Sequence, residues 1–272
     1  MGKQRVRFPL LSGLILCVMP IGWVQANDTV DDEQVTVPAG EFIMGCDAGK
    51  DPVCSAAPDE NKHIVYLDEF LIDKYEVTFR RYQQCVDAGR CSPPAVGGAL
   101  NYGWDGVERF PVNGVTWQQA KTFCEFENRR LPTEAEWEKA ARGTESNIFP
   151  WGDSAPSCEV AVVDRANAGA LGCGTGNTLN VGAKPKGASP YGAMDMAGNL
   201  WEWTADWYDA DYYDNSPSEN PKGPATGLFK VTRGGDFFTR SGYEVRSTSR
   251  FPYEPSDYSI AIGFRCAADI GK

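Results

Sequence analysis

Apolar and polar positions alternate along "VTVPAGEFIMG" (35–45) on both sides of a Pro-Ala-Gly turn, which predicts an early β-hairpin. The strand-like pattern continues through "HIVYLDEFLIDKYEVT" (63–78). Thr78 then stands where it can cap a helix over "FRRYQQCVDAG", which ends at Gly89. In "VTWQQAKTFCEFEN" the spacing changes to helical, with Trp117, Ala120, Phe123, Cys124 and Phe126 following a Thr116 cap. A third helix is predicted over "LPTEAEWEKAARG", where Thr133 and Glu136 form the two halves of a capping box and Gly143 stops the chain. From residue 144 onward Gly, Pro, Asn and Asp are so frequent that long ordered loops with short strands are expected, tied by disulfides or bound cations. No internal repeat, low-complexity tract or linker divides the chain.

The first 26 residues run from a basic start through an apolar core to Ala26, with Val24 two positions before it. That is the layout of a secretory signal peptide cut after Ala26. Pro20, Gly13 and Gly22 interrupt the apolar run, which is short for a spanning helix, so no stable membrane span is expected after cleavage. Lipidation at Cys17 is disfavoured by Leu16, since such sites want a small residue there. Residues 27–34 are acidic and polar and read as a flexible lead-in; residues 35–268 read as one domain. The expected location is periplasmic or secreted.

Cleavage leaves eight cysteines, and an even set in an exported chain reads as disulfides. Close spacing suggests Cys46 with Cys54, Cys85 with Cys91, and Cys158 with Cys173, which leaves Cys124 and Cys266; the sequence alone does not fix the connectivity. A structural zinc site is disfavoured, because there is no CxxC pair and His63 is the only histidine. The net charge of -11 argues against nucleic acid as a partner and leaves cationic partners, calcium or simple solubility.

One stretch, "DMAGNLWEWTADW" (195–207), combines three Trp, three acidic residues and a Gly-Asn pair. Together with "VPAGEFIMG", "DKYEVT", "PVNGVTWQQAKTFCEF", "RRLPTEAEWEKAARG", "FPWGD", "RGGDFF" and "IGFRCA", it resembles the sulfatase-modifying-factor family, whose best-known member is the formylglycine-generating enzyme. The resemblance spans about residues 35 to 268. It implies a compact α/β (α+β) fold related to C-type lectins, with few helices, short strands, long ordered loops and bound calcium. It also supports a disulfide between Cys124 and Cys266.

By the same resemblance, "DMAGNLWEW" would wrap a calcium ion through the carboxylates of Asp195 and Glu202 and the carbonyls of Met196, Gly198 and Leu200. Calcium takes several oxygen ligands in a flexible cage, and a Gly-containing turn between two carboxylates can supply them. A second family calcium site would fall on Asn167 and Ala168, yet "GALGCGTGN" offers no clear acidic counterpart for its remaining ligands.

The formylglycine-generating enzyme uses copper held by two cysteines, soft thiolate ligands that other side chains do not replace. Here the matching positions fall on Ser247 and Gly242, or on Glu244 at the first of them if the count runs from Arg233. Both cysteines are missing under either alignment, so copper-dependent formylglycine formation is not expected. The branch of iron-dependent sulfoxide synthases is disfavoured by the single histidine.

Two further readings stay open. In one, the chain resembles the pyoverdine-maturation oxidases, with Glu244 beside Tyr243, Arg246 and Arg250 as the candidate catalytic group; the preferred reading of these residues is that Arg246 and Arg250 make structural ion pairs and Glu244 lies on the surface. In the other, it is a C-type-lectin-like binding module whose groove near "RGG" presents Asp236, Phe237, Phe238, Tyr243, Tyr253 and Tyr258. The expected partner is an envelope peptide, protein or small-molecule ligand.

Overall fold

In the computed structural model, residues 1–2, 30–98, 100–164, 170–240 and 242–271 are described. The expected signal peptide lies almost wholly outside them, as do Asn167 and Ala168 of the second expected calcium site. Among the described residues, no helix is long and apolar enough to cross a membrane.

Among the described residues the chain folds into a mixed α/β unit of nine short strands and three helices of two turns or more, joined by long ordered loops. Strand β1 (Gln34–Val37) pairs antiparallel with β4 (Phe70–Asp73), and β2 (Gly40–Met44) pairs antiparallel with β3 (His63–Leu67). The early hairpin expected from "VTVPAGEFIMG" therefore does not form. Its turn is instead gripped by the third helix: Lys139 Nζ donates to the carbonyls of Pro38 and Gly40, both at 2.8 Å, and sends the two strands into different sheets. The described part of the expected lead-in, residues 30–34, is also held down. Asp31 is buried against Arg109 Nε at 3.1 Å, and Asp32 meets Arg129 at 2.7 Å.

Each predicted helix is present behind its predicted cap. Helices α1 (Phe79–Asp87), α2 (Trp117–Phe126) and α3 (Glu134–Arg142) start where Thr78, Thr116 and Thr133 accept a backbone N–H. Both α2 and α3 carry complete capping boxes. Helix α3 is buried on every side, including Glu134, Glu138, Lys139 and Arg142. Burial of such charges is tolerated only when each is paired. Glu138 meets Arg233 at 2.7 Å and Arg142 at 3.1 Å, while Arg142 also donates to the Gly45 carbonyl at 2.7 Å.

The second half builds a four-stranded sheet in the order β7 (Arg250–Tyr253), β6 (Lys230–Arg233), β5 (Trp201–Trp207), β8 (Ile262–Gly263). Strand β9 (Ala267–Asp269) returns to pair with β4, bringing the C-terminal segment against the first sheet. One apolar cluster packs α3 against β2, β3 and β4, and a second packs α1 and α2 against β5 and β8. Four disulfides join Cys46 to Cys54, Cys85 to Cys91, Cys158 to Cys173, and Cys124 in α2 to Cys266 before β9.

Candidate functional site

Two features adjoin at the start of β5: an acidic loop and an open groove. The loop, residues 195–200, is strongly shaped. Asp195 (φ +57°), Gly198 (φ +78°) and Asn199 (φ +64°) all occupy the left-handed region. At Gly198 a side chain is impossible, because a Cβ would lie 2.4 Å from the Val162 carbonyl oxygen.

Three carboxylates converge behind this loop. Glu76, fully buried at the end of the "DKYEVT" segment, accepts from Asn199 Nδ2 at 2.7 Å through Oε2, while its Oε1 has no partner among the described residues. Burial, with the charges of Asp195 and Glu202 added to it, pushes the Glu76 carboxyl well above the usual range. Asp195 accepts from the Gly182 amide at 2.5 Å, and burial raises it to about 6. Glu202 is anchored differently. Arg265 holds it bidentately at 2.6 and 2.7 Å, and Trp137 Nε1 donates to it at 2.8 Å.

Three acids thus meet one guanidinium, and a buried acceptor is left open. Outside the sheet ladders, no hydrogen bond among the described residues ends on the carbonyls of Met196, Gly198 or Leu200. Carboxylate and carbonyl oxygens are the kind of ligand that a hard dication takes. Of the calcium ligands expected from sequence, Asp195, Met196, Gly198 and Leu200 lie in or beside this strained loop. Glu202 serves Arg265 and Trp137, and Glu76, which sequence reasoning missed, brings the open carboxylate.

The groove lies on the other side of the same strand end. Trp201, Asp236, Phe238, Thr239, Arg240, Glu244 and Phe251 line a cavity of about 360 Å³. Its floor depends on Gly235 (φ +70°), where a Cβ would lie 2.6 Å from Val245 Cγ1. The next residue, Asp236, closes a turn by accepting from the Phe238 amide at 2.9 Å and the Thr239 hydroxyl at 3.2 Å. Burial pushes its carboxyl up to about 6, and the charge of Glu244 adds to that. Arg240, on the rim, donates to the buried Asp164 at 2.7 Å. A separate cavity of about 410 Å³ between α2, α3 and β4 has in its lining the ion pairs of Arg130 with Glu136 and Asp269 and of Lys121 with Glu125.

Of the four residues grouped from sequence as a candidate catalytic set, only Glu244 lines the groove. Arg246 is buried in a fork on Glu60 at 2.8 Å with Asp51 at 3.0 Å, and Arg250 is held bidentately by Glu134 at 2.7 and 3.0 Å. Tyr243 donates to the Ala56 carbonyl at 3.3 Å. The two arginines are thus in buried ion pairs, as the preferred reading of the sequence has them, and the catalytic grouping with Glu244 does not assemble in the groove. Ser247 is wholly buried, and at Gly242 a Cβ would already press Pro156 at 3.3 Å. All eight cysteines among the described residues are in disulfides, so none offers a thiolate to copper.

Comparisons agree with this frame. The family model for the sulfatase-modifying factor enzyme 1-like domain matches residues 23–270. The formylglycine-generating enzyme of Thermomonospora curvata is 31% identical over 297 residues, covering 86% of this chain and 93% of that enzyme. The serine/threonine-protein kinase pkn1 of Chlamydia pneumoniae is 33% identical over 256 residues, covering 88% of this chain and 38% of the kinase. Among solved structures, PvdO from Pseudomonas aeruginosa superposes with a TM-score of 0.71 at 25% identity, covering 87% of this chain and 94% of PvdO. The chain therefore belongs to the sulfatase-modifying factor enzyme 1-like family.

Proposed function

We propose that this is an exported, calcium-stabilised member of the family that holds a segment of an envelope peptide or protein in the groove between Trp201, Asp236, Phe238, Glu244 and Phe251. The groove carries this reading: exposed aromatic walls with a few polar groups, built on a rigid sheet end, suit ligand capture. Calcium is the ion proposed for Glu76, Asp195 and the carbonyls of Met196, Gly198 and Leu200, supported by the orphaned Glu76 oxygen. When bound, it would neutralise the acidic loop from which β5 and Trp201 start. Copper-dependent formylglycine formation is outside the proposal, because Ser247 and Gly242 supply no thiolate.

A second reading has one observation in its favour. Asp236 faces the groove with its carboxyl raised to about 6, poised to take or return a proton near neutrality. That suits an oxidase of a secreted peptide or metabolite that works without copper, in the manner of the pyoverdine-maturation relatives.

One experiment tests both readings. The calcium-loaded chain is incubated in air with a pool of blocked heptapeptides and with a sulfatase-type cysteine peptide plus copper. Hydrogen exchange is read on residues 233–253, and products are read by mass spectrometry. Protection of the groove without product supports capture, and a dehydrogenated peptide moves the oxidase reading forward. Formylglycine would overturn the exclusion of copper chemistry, and no protection by any peptide would overturn capture.

A further inference from the structure

Two cysteines and an acid share one small space behind Arg246. The two sulfurs of Cys46 and Cys54 and a carboxylate oxygen of Asp51 all lie within 4.8 Å of one another. None of the three residues lines the groove or belongs to the acidic loop. Cys46 and Asp51 are buried, while Cys54 is half-buried and leaves the cluster a route to solvent. In the oxidised chain neither sulfur is a free ligand, because the two are joined. Reduced, the same groups become two thiolates and a carboxylate, three protein ligands of the kind zinc takes, with a fourth position open.

The spacing is already close to what such an ion needs. Asp51 Oδ2 lies 3.4 Å from Cys46 Sγ. With Zn–S of about 2.3 Å and Zn–O of about 2.0–2.2 Å, a tetrahedral ion sets sulfur and oxygen about 3.5 Å apart. The carboxylate is also oriented from behind: its Oδ1 accepts from the Val53 amide at 3.0 Å, and its Oδ2 accepts from Arg246 Nη1 at 3.0 Å. The same Nη1 lies 3.4 Å from Cys46 Sγ. Donors placed behind ligand atoms fix their direction and tune their charge.

The loop does not depend on its sulfur bond alone. Cys46 N–H donates to the Glu60 carbonyl at 2.7 Å, the Cys54 carbonyl accepts from Ala57 N–H at 3.0 Å, and the amides of Lys50 and Asp51 both donate to the Asp47 carbonyl at 2.8 Å. Opening the disulfide therefore leaves the ligands near their places. It also leaves charge to be matched. Arg246 is already forked on Glu60 at 2.8 Å, so it does not by itself offset Asp51 and two new thiolates, whereas a dication does.

We infer that Cys46, Cys54 and Asp51 form a redox-gated zinc site, in which opening of the Cys46–Cys54 bond by a dithiol reductant lets one zinc ion tie the loop in the disulfide's place. The electrons balance: the dithiol is oxidised to its own disulfide, Cys46 and Cys54 become thiols, and zinc binding releases their two protons. The absence of a CxxC pair hides the site in the sequence, since the third ligand stands between cysteines eight residues apart.

The test uses the full chain, oxidised and after graded anaerobic treatment with dithiothreitol that is then removed by desalting. Alkylation and mass spectrometry identify which cysteines are free, zinc uptake is read by competition with a chromophoric chelator, and cobalt(II) in place of zinc reports sulfur ligation through its near-ultraviolet charge-transfer band. One zinc per chain is expected once Cys46 and Cys54 are free, with none held at this site by the oxidised chain. Zinc should also raise the melting temperature of the reduced chain. Cys54→Ser, treated in the same way, should lose that ion and the cobalt band. Asp51→Asn, its fold checked by the melt of its oxidised form, should bind at least tenfold more weakly.

No uptake by a chain whose Cys46 and Cys54 are free would overturn the inference. So would equal uptake by the oxidised chain or by Cys54→Ser, since the ion would then lie elsewhere. Unchanged affinity in Asp51→Asn would overturn the three-ligand set, and a Cys46–Cys54 bond that opens only with loss of the fold would overturn the gate.

Discussion

Glu76→Gln should reverse the order of stability between calcium and chelator. In the folded chain Glu76 is fully buried, with Oε2 on Asn199 and Oε1 without a partner among the described residues. Leaving a buried acceptor unsatisfied costs about 1–3 kcal/mol, more when it is charged. The amide replacement keeps the Asn199 contact and removes the charge that Asp195 and Glu202 oppose. In chelator, then, the variant is expected to be at least as stable as the natural chain, because the amide gives Asp195 and Glu202 no charge to oppose. With calcium the order inverts. At about 100 times its dissociation constant a ligand adds about 2.7 kcal/mol. For a domain of this size 1 kcal/mol moves Tm by about 2–4 °C, so the natural chain should gain about 5–11 °C. The variant, short of one carboxylate, should gain little. Thermal melts followed by circular dichroism, with calcium and with chelator, read both shifts. A natural chain indifferent to calcium, a variant that gains as much, or a variant less stable in chelator would each refute the reasoning.

The Cys124–Cys266 bond closes a separation of 142 residues, and replacing both cysteines by Ser should cost up to about 5 kcal/mol on the loop-entropy scale, read as a fall in the urea midpoint. Gly198→Ala forces a Cβ onto the Val162 carbonyl at positive φ; a loss of roughly 1–3 kcal/mol together with the calcium-induced Tm shift is expected, and a stable variant with a normal calcium response would contradict the proposed loop geometry. Asp206 is fully buried, accepts from the Glu134 amide at 2.8 Å, and is pushed up to about 8 by burial and then by the Glu134 charge. Below about pH 4 it is protonated folded and unfolded alike; between about pH 4 and 8 the unfolded chain ionises while the folded chain holds its proton, so stability falls as pH rises and levels off above 8. Asp206→Asn should therefore match the natural Tm at pH 4 and exceed it increasingly up to pH 8, and an offset independent of pH would show that the carboxyl does not carry the effect.

What was legible in the sequence was what is local. The caps at Thr78, Thr116 and Thr133 act within one helical turn, and all three helices start where those residues stand. Strand pairing is not local, and the alternation in "VTVPAGEFIMG" reports strands without naming their partners; β1 pairs with β4 and β2 with β3, and Lys139, a hundred residues away, holds the turn between them. Glu76 was missed for the same reason. Its contact with Asn199 spans 123 positions, and nothing in "DKYEVT" marks one carboxylate as the open one. That Arg246 and Arg250 make structural ion pairs is the preferred reading of the sequence, but it could not name their partners. Only the fold reveals Glu60 and Glu134 waiting for them.

The frame and the groove are held by different forces, which explains how this chain keeps the fold without the copper cysteines. The frame is a closed set of buried partners: Arg233 with Glu134 and Glu138, Arg265 with Glu202, each charge matched and none removable alone without stranding another. The acidic loop is stitched to it, since Gly198 N–H donates to the Gly234 carbonyl at 2.8 Å and Phe237 N–H to the Asn199 carbonyl at 3.1 Å. Residues 236–239, by contrast, are shaped by one turn centred on Asp236. A substitution in the groove leaves the matched charges untouched; one in the frame strands a buried ion. Chemistry in such a fold can therefore change at Ser247, Gly242 or Glu244 while Arg233, Arg265 and the acids that hold them stay fixed.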